Sequence, residues 1–132
     1  MQVIYKMKVR LFNIPTFNEW VANSKKIIGG CMNSNYEIKE GVLTVCLEEE
    51  LDHHNVENIR NNIDEIILKN EVRDIVFDFK KTTFMDSSGI GLILGRYRML
   101  KTVGGKIKVK NSGVNIERIL MVSGLYKIVE RI

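Results

Sequence analysis

The sequence predicts a single α/β domain with a mixed, mostly parallel β-sheet and flanking helices. Short apolar runs that favour strands alternate with longer segments whose apolar residues recur every three or four positions, in the order ββαβαβαβ. Right-handed crossovers between such strands make most of the sheet parallel. The chain has 132 residues, of which 45% are hydrophobic, so it is long enough for one domain with its own core.

Two short strands and a helix open the pattern. The segments YEIK and VLTVCLE favour strands, and Gly41 lies in the turn between them. Residues 55–70 predict an amphipathic helix with Asn55 as its N-cap. The apolar residues on one face of this helix are Val56, Ile59, Ile63, Ile66 and Ile67.

A buried strand and a second helix come next. The near-continuous apolar run 74–79 is typical of a central parallel strand. The loop 80–86 leads into a helix that begins within residues 86–88 and ends at Gly104. The apolar residues at helical spacing in it are Ile90, Ile93, Leu94, Tyr97 and Leu100. The pattern ends with a strand at 106–110, a helix at 114–124 and a strand at 125–132.

The net charge of +4 is confined to the first part of the chain. Residues 1–31 carry five basic residues against one acidic residue, whereas the charges of residues 32–132 balance. A basic stripe interleaved with aromatic residues is the usual footprint of a nucleic-acid-binding protein. The body of this sequence has none, so we expect no direct contact with nucleic acid.

Residues 1–31 predict an extension in front of a domain that spans 32–132. The run Gly-Gly-Cys-Met at 29–32 matches an in-frame translation of a ribosome-binding site just before a start codon. We therefore hypothesise that the natural start is Met32 and that the extension is not native. A short amphipathic membrane anchor within it is the alternative.

A cytoplasmic location is expected. No apolar run approaches the roughly 18–20 residues of a membrane span, and the first residues lack the features of a secretory signal. The two cysteines, Cys31 and Cys46, have no metal-like spacing. We expect both to be reduced thiols.

Ser87 and Ser88 follow Asp86 where the second helix begins. Sites in open α/β sheets form at the carboxyl ends of strands, where helices start, and the free N–H groups there favour an added negative charge. A phosphate on Ser87 would be held by the helix but repelled by Asp86, which suits a reversible switch. The alternative is that one of these residues only caps the helix.

The same turn gives weak support to two other interpretations, a catalytic serine nucleophile and a dinucleotide-binding loop. Neither serine is framed as in the Gly-x-Ser-x-Gly nucleophile elbow. Gly89 and Gly91 open the helix, but Gly95 comes one residue late for a dinucleotide fingerprint. We expect Gly91 and Gly95, four residues apart, to permit close packing of the helix on the sheet.

The polar cluster EELDHHN lies between a strand and a helix, at an edge of the sheet. His53 and His54 are a poor metal site, because adjacent side chains do not easily face one ion and no cysteine or third histidine accompanies them. Exposed or helix-capping histidines are the simpler interpretation. We expect no metal and no cofactor.

The segments ELDHHNVENIR, DIVFDFKKTTFMDSSGIGLILGRYRMLKTVGGKIKV and RILMVSGLYKIVE resemble the anti-sigma factor antagonists of the STAS domain family. Within it they are most similar to the sporulation antagonists of the anti-sigma-F factor. The resemblance runs from about Asn35 to the C-terminus and implies a STAS-like fold. In this family a Gly usually stands where Glu49 does, and a C-terminal helix usually follows the last strand. This chain stops at Ile132, so we expect either one face of the sheet or the edge near the segment LYKIVE to be less covered.

The resemblance implies a phosphorylation-controlled change of partner. The unmodified protein binds an anti-sigma factor that is also a serine kinase, and so releases a sigma factor, here sigma-F. The kinase then phosphorylates Ser87, and a PP2C-type phosphatase reverses this. The protein is a ligand and a substrate, not an enzyme. The implied partner-binding residues are Glu50, Asp52, His53, His54, Asp86, Ser88 and Gly89. The alternative is the same switch in another circuit, such as general stress or biofilm control.

Overall fold

A computed structural model describes residues 35–132. Its seven strands are β1 (Tyr36–Lys39), β2 (Val42–Cys46), β3 (Glu50–Leu51), β4 (Asp74–Asp78), β5 (Phe84–Met85), β6 (Ile107–Lys110) and β7 (Glu130–Arg131). Its helices are α1 (Val56–Lys69), α2 (Ser87–Lys101) and α3 (Val114–Val122), with a 3-10 helix at Leu125–Lys127. The α/β class and the order of the main elements are confirmed.

Five strands form the main sheet, in the order β1-β2-β4-β6-β7. Only the β1–β2 pair is antiparallel, and the three other pairings are parallel. All five residues of β4 are buried, as its apolar run predicts for a strand with neighbours on both sides. The β1–β2 turn uses positive φ at Glu40 and Gly41, the conformation that a two-residue hairpin loop requires.

The buried face was predicted correctly for α1 but not for α2. All five apolar residues predicted for the inner face of α1 are buried. The buried residues of α2 are Gly89, Leu92, Ile93, Arg96 and Leu100, whereas Ile90, Leu94 and Tyr97 are half-buried. The buried face of α2 differs from the predicted face because Arg96 is buried in it. Its Nε lies 3.3 Å from Oδ1 of Asp64 on α1.

The predicted last strand at 125–132 is wrong over most of its length. Gly124 has a φ of 78°, and the Leu125 carbonyl then accepts hydrogen bonds from the N–H groups of Ile128 and Val129. Leu125 and Val129 are buried, and the two hydrogen bonds to the Leu125 carbonyl, from residues three and four positions later, are those of a helical turn. Only the two residues of β7 pair with β6.

One carboxylate fastens this C-terminal segment to α3. Glu117 accepts hydrogen bonds from the hydroxyls of Ser112 and Tyr126, both at 2.6 Å, and its other oxygen lies 2.7 Å from Arg131. These hydrogen bonds, together with the charge of Arg131, hold the pKa of Glu117 below its usual value. The ionised form is therefore the one that ties β7 to the helix.

Three further expectations concern the N-terminal extension, the redox state of Cys46 and membrane-spanning helices. The extension 1–31 and its amphipathic segment lie outside the described residues. Cys46 is disulfide-bonded, so the expectation of a reduced thiol there is wrong. Between residues 35 and 132, no helix is long and apolar enough to cross a membrane.

Candidate functional site

A second, two-stranded sheet joins two loops at one edge of the main sheet. β3 and β5 pair in parallel, Glu50 with Phe84 and Leu51 with Met85. The Thr83 N–H donates to the Glu49 carbonyl at 2.8 Å, and further bonds flank the pair. We call residues 48–52 and 82–86 together the clip. Sequence reasoning missed it, because two residues per strand are too few to show an alternating pattern.

The clip ends at the start of α2, where Asp86 is the N-cap. Its Oδ1 accepts a hydrogen bond from the Ser88 N–H at 2.8 Å, and its carbonyl accepts one from the Gly89 N–H at 3.1 Å. The open question of which residue caps the helix is thereby answered. Ser87 is the first helical residue, and its side chain is exposed.

The other strand of the clip leads into the loop that carries the two histidines. Asp52 Oδ1 accepts from the His54 N–H at 2.9 Å, and the Asp52 N–H donates to Asn55 Oδ1 at 3.0 Å. Asn55 also donates through Nδ2 to the Glu50 carbonyl. Asn55 stands at the N-cap position of α1 but makes no side-chain capping bond. The predicted N-cap position is therefore confirmed, while the side chain of Asn55 fixes the loop instead of capping the helix.

The fold brings together the loop 52–55, which we call the histidine loop, and the turn 86–88, which carries the two serines. His53 Nδ1 lies 4.0 Å from Asp86 Oδ2, and the His53 side chain is 70% exposed against 32% for Asp86. The rings of His53 and His54 are 4.0 Å apart between centroids. Asp86 thus faces the helix N-terminus with one oxygen and an imidazole with the other.

Gly89 is the place where α2 touches the clip most closely. A Cβ on Gly89 would lie 2.3 Å from Met85 Cγ and 2.9 Å from Leu51 Cδ2, so only glycine fits. A Cβ on Gly91 or Gly95 would meet no atom within 4 Å. The close packing predicted for Gly91 and Gly95 is therefore wrong, and it occurs at Gly89. A glycine directly after the serine pair was the sequence signal for it.

The predicted site residues all lie on the clip, the histidine loop or the first turn of α2: Glu50, Asp52, His53, His54, Asp86, Ser87, Ser88 and Gly89. Glu50, His53, His54 and Ser87 are exposed, whereas Asp52, Asp86 and Ser88 are half-buried. Gly89 is buried, so it supports the surface from below and does not form part of it.

The arrangement at Ser87 is an exposed hydroxyl at the start of a helix. The imidazole of His53 faces the carboxylate of Asp86, whereas activation of a serine nucleophile requires a base at the serine hydroxyl. The described part of the chain also holds no group of three His, Cys, Asp or Glu side chains that could bind a metal ion. The exposed Ser87 hydroxyl at a helix N-terminus suits modification by a partner.

Comparison with known proteins identifies related chains. Residues 33–132 match the family model of the STAS domain. The anti-sigma F factor antagonist of Paenibacillus polymyxa is 42% identical over 99 residues, covering 74% of this chain and 85% of that protein.

Two solved structures are similar in fold and sequence. The anti-sigma factor antagonist SpoIIAA in its unphosphorylated form superposes with a TM-score of 0.67 at 36% identity, covering 74% of this chain and 85% of that one. The Bacillus cell fate determinant SpoIIAA in the phosphorylated form gives a TM-score of 0.61 at 36% identity, covering 74% and 88%.

Proposed function

Because this chain belongs to the STAS domain family, we propose that it acts as an anti-sigma factor antagonist. It binds an anti-sigma factor and thereby frees the sigma factor that this protein holds. The observation that carries the proposal is the clip, which sets an exposed Ser87 beside Asp86 at the start of α2 in a fold like that of SpoIIAA. The related anti-sigma F factor antagonist points to sigma-F and sporulation.

The anti-sigma factor in this proposal is also a serine kinase, and Ser87 is its substrate. The kinase supplies the base, the ATP and the Mg²⁺ that phosphoryl transfer needs. This chain supplies a hydroxyl on a fixed backbone, so it is a ligand and a substrate, not an enzyme. It needs no cofactor of its own.

Charge explains how phosphorylation would end the complex. A phosphate adds about −1.5 to −2 charges at pH 7. The N-terminus of α2 stabilises such a charge, so the fold keeps its shape. The adjacent Asp86 carboxylate, however, repels it, and an interface packed on this surface would have to bury both charges. That SpoIIAA has a phosphorylated form supports Ser87 as the acceptor. A PP2C-type phosphatase would restore the binding form.

The remaining parts of the proposal concern the setting of this switch. We place it in the cytoplasm, without direct contact to nucleic acid or membrane. The natural start at Met32 stays a hypothesis, and the intact mass of the protein from its native host tests it.

Two variants of Ser87 test the switch directly. We expect Ser87→Ala to bind the purified anti-sigma factor of the same organism as tightly as the wild type. Ser87→Asp should bind at least about tenfold more weakly, a change of about 1.4 kcal/mol in binding free energy. Isothermal titration calorimetry measures both. Equal affinity of the two variants would contradict the proposal.

Mapping the modified residue completes the test. After incubation with the kinase, ATP and Mg²⁺, tandem mass spectrometry should find phosphate on Ser87 and not on Ser88. Co-purification from the native host then identifies the bound anti-sigma factor, and so separates sigma-F control from a stress or biofilm circuit. An unmodified Ser87 would overturn the kinase–substrate relation.

A further inference from the structure

A small cavity opens beside the clip, away from the two histidines. Its volume is about 210 Å³, and it is lined by Thr82 and Thr83 and by the first turn of α3 with its preceding glycine, residues 113–116. Sites for drug-sized ligands measure roughly 300–1,000 Å³. This cavity instead has room for a single large side chain. We call it the side pocket.

Two exposed apolar side chains stand next to the side pocket. Val114, the first residue of α3, is 77% exposed. Phe84, which directly follows Thr83, is 49% exposed, and β5 packs against α3. An apolar side chain of a partner that enters the side pocket would contact Val114, which lines it.

The side pocket is close enough to Ser87 to lie under the same partner. Thr83 precedes Ser87 by four residues, which span at most roughly 14 Å at the rise of a strand. A standard interface covers about 800 Å² on each partner, and a round patch of that area extends roughly 16 Å from its centre. A protein seated on Ser87 in an interface of this size therefore reaches the side pocket.

The charges around the side pocket are of both signs. Lys80 and Lys81 are exposed on the loop that leads into the clip. Glu48 and Glu49 are also exposed, and their carbonyls accept hydrogen bonds from the hydroxyls of Thr82 and Thr83 in the lining of the pocket. The apolar character of the occupant, and not its charge, therefore decides its fit to the side pocket.

We propose that the side pocket is a second anchor for the anti-sigma factor, and that it receives one apolar side chain of that protein. This inference rests on the proposed function and extends it. Ser87 is not among the residues that line the side pocket. We therefore expect the anchor to contribute to binding of both forms, whereas the charge on Ser87 distinguishes between them.

Val114→Asp tests the side pocket without endangering the fold. Val114 is highly exposed, and an aspartate in the first turn of a helix is favourable. We expect Val114→Asp to weaken binding of the purified anti-sigma factor at least tenfold in calorimetry without ATP. The matched control is Val122→Asp, a residue 83% exposed at the other end of α3, which should change affinity less than twofold. The same loss in both variants would overturn the pocket.

A series with Ser87→Asp separates the two proposals. If Ser87→Asp loses binding while Val114→Asp binds like the wild type, the side pocket is overturned and the proposed function stands. If neither variant loses binding, both proposals fail. If Val114→Asp alters only self-association in analytical ultracentrifugation, the occupant is a second copy of this chain and the inference is overturned. Additive losses in the double variant support two separate anchors.

Discussion

The main sheet and the clip differ in how they are held together. β4 is buried along its whole length and is hydrogen-bonded to β2 and β6. In the clip, by contrast, each strand has one buried and one exposed residue. Each strand of the clip thus contributes one side chain to the core, Leu51 and Met85, where β4 contributes five buried residues. The clip is therefore the part of the fold that is more easily rearranged. The rigid sheet beneath it fixes where that part stands.

The strongest test of this contrast is the same substitution in both regions. Phe77 in β4 is fully buried, so Phe77→Ala should lower the free energy of unfolding by about 3–5 kcal/mol. Phe84 in the clip is 49% exposed, and Phe84→Ala should cost less than about 1 kcal/mol. Urea unfolding measures both. Similar losses would mean that the clip carries as much stability as the sheet.

Gly89→Ala asks how tightly the clip is bound to α2. The added methyl group would overlap Met85 and Leu51, so we expect a loss of about 1–3 kcal/mol in unfolding free energy and weaker partner binding. The control is Gly91→Ala on the same helix, where the Cβ meets nothing. It should stabilise the protein by about 0.5–1 kcal/mol. An unchanged free energy of unfolding in Gly89→Ala would show that the clip accommodates the added methyl group without destabilising the protein.

The smallest effect is expected at the helix cap. Asp86→Ala removes the acceptor of the Ser88 N–H and should cost about 1 kcal/mol of unfolding free energy. Asp86→Asn keeps an acceptor oxygen and should cost less, while it removes the charge that opposes a phosphate on Ser87. Thermal unfolding ranks the two variants. If both are equally destabilised, the charge and not the hydrogen bond supports the helix start.

The sequence was most informative for elements in which many residues share the same burial pattern. The inner face of α1 and the buried run of β4 were predicted correctly, because many residues report the same burial. The inner face of α2 was not, since Arg96 is buried by pairing with a residue of another helix, which no local pattern reveals. Leu125 and Val129 are four positions apart, a spacing that puts both on one face of either a helix or a strand, so the sequence did not reveal the helical turn there.

The candidate site was found by resemblance and by local chemistry together. The DSSG turn indicated a helix start, and the structure identifies Asp86 as its cap. The approach of His53 to Asp86 joins residues 33 positions apart, and it depends on the clip. The phosphorylation of Ser87 stays a prediction.

The clip also makes the formation of the candidate site depend on earlier steps of folding. Its bonds connect residues as far as 34 positions apart, such as Thr82 and Glu48, and α1 and β4 lie between them. Such non-local contacts form only after a large entropic cost of loop closure has been met. A newly made chain therefore brings His53 to Asp86 only once the segments between them are in place. A partner that recognises this surface selects finished molecules from unfinished ones, before any phosphate is added.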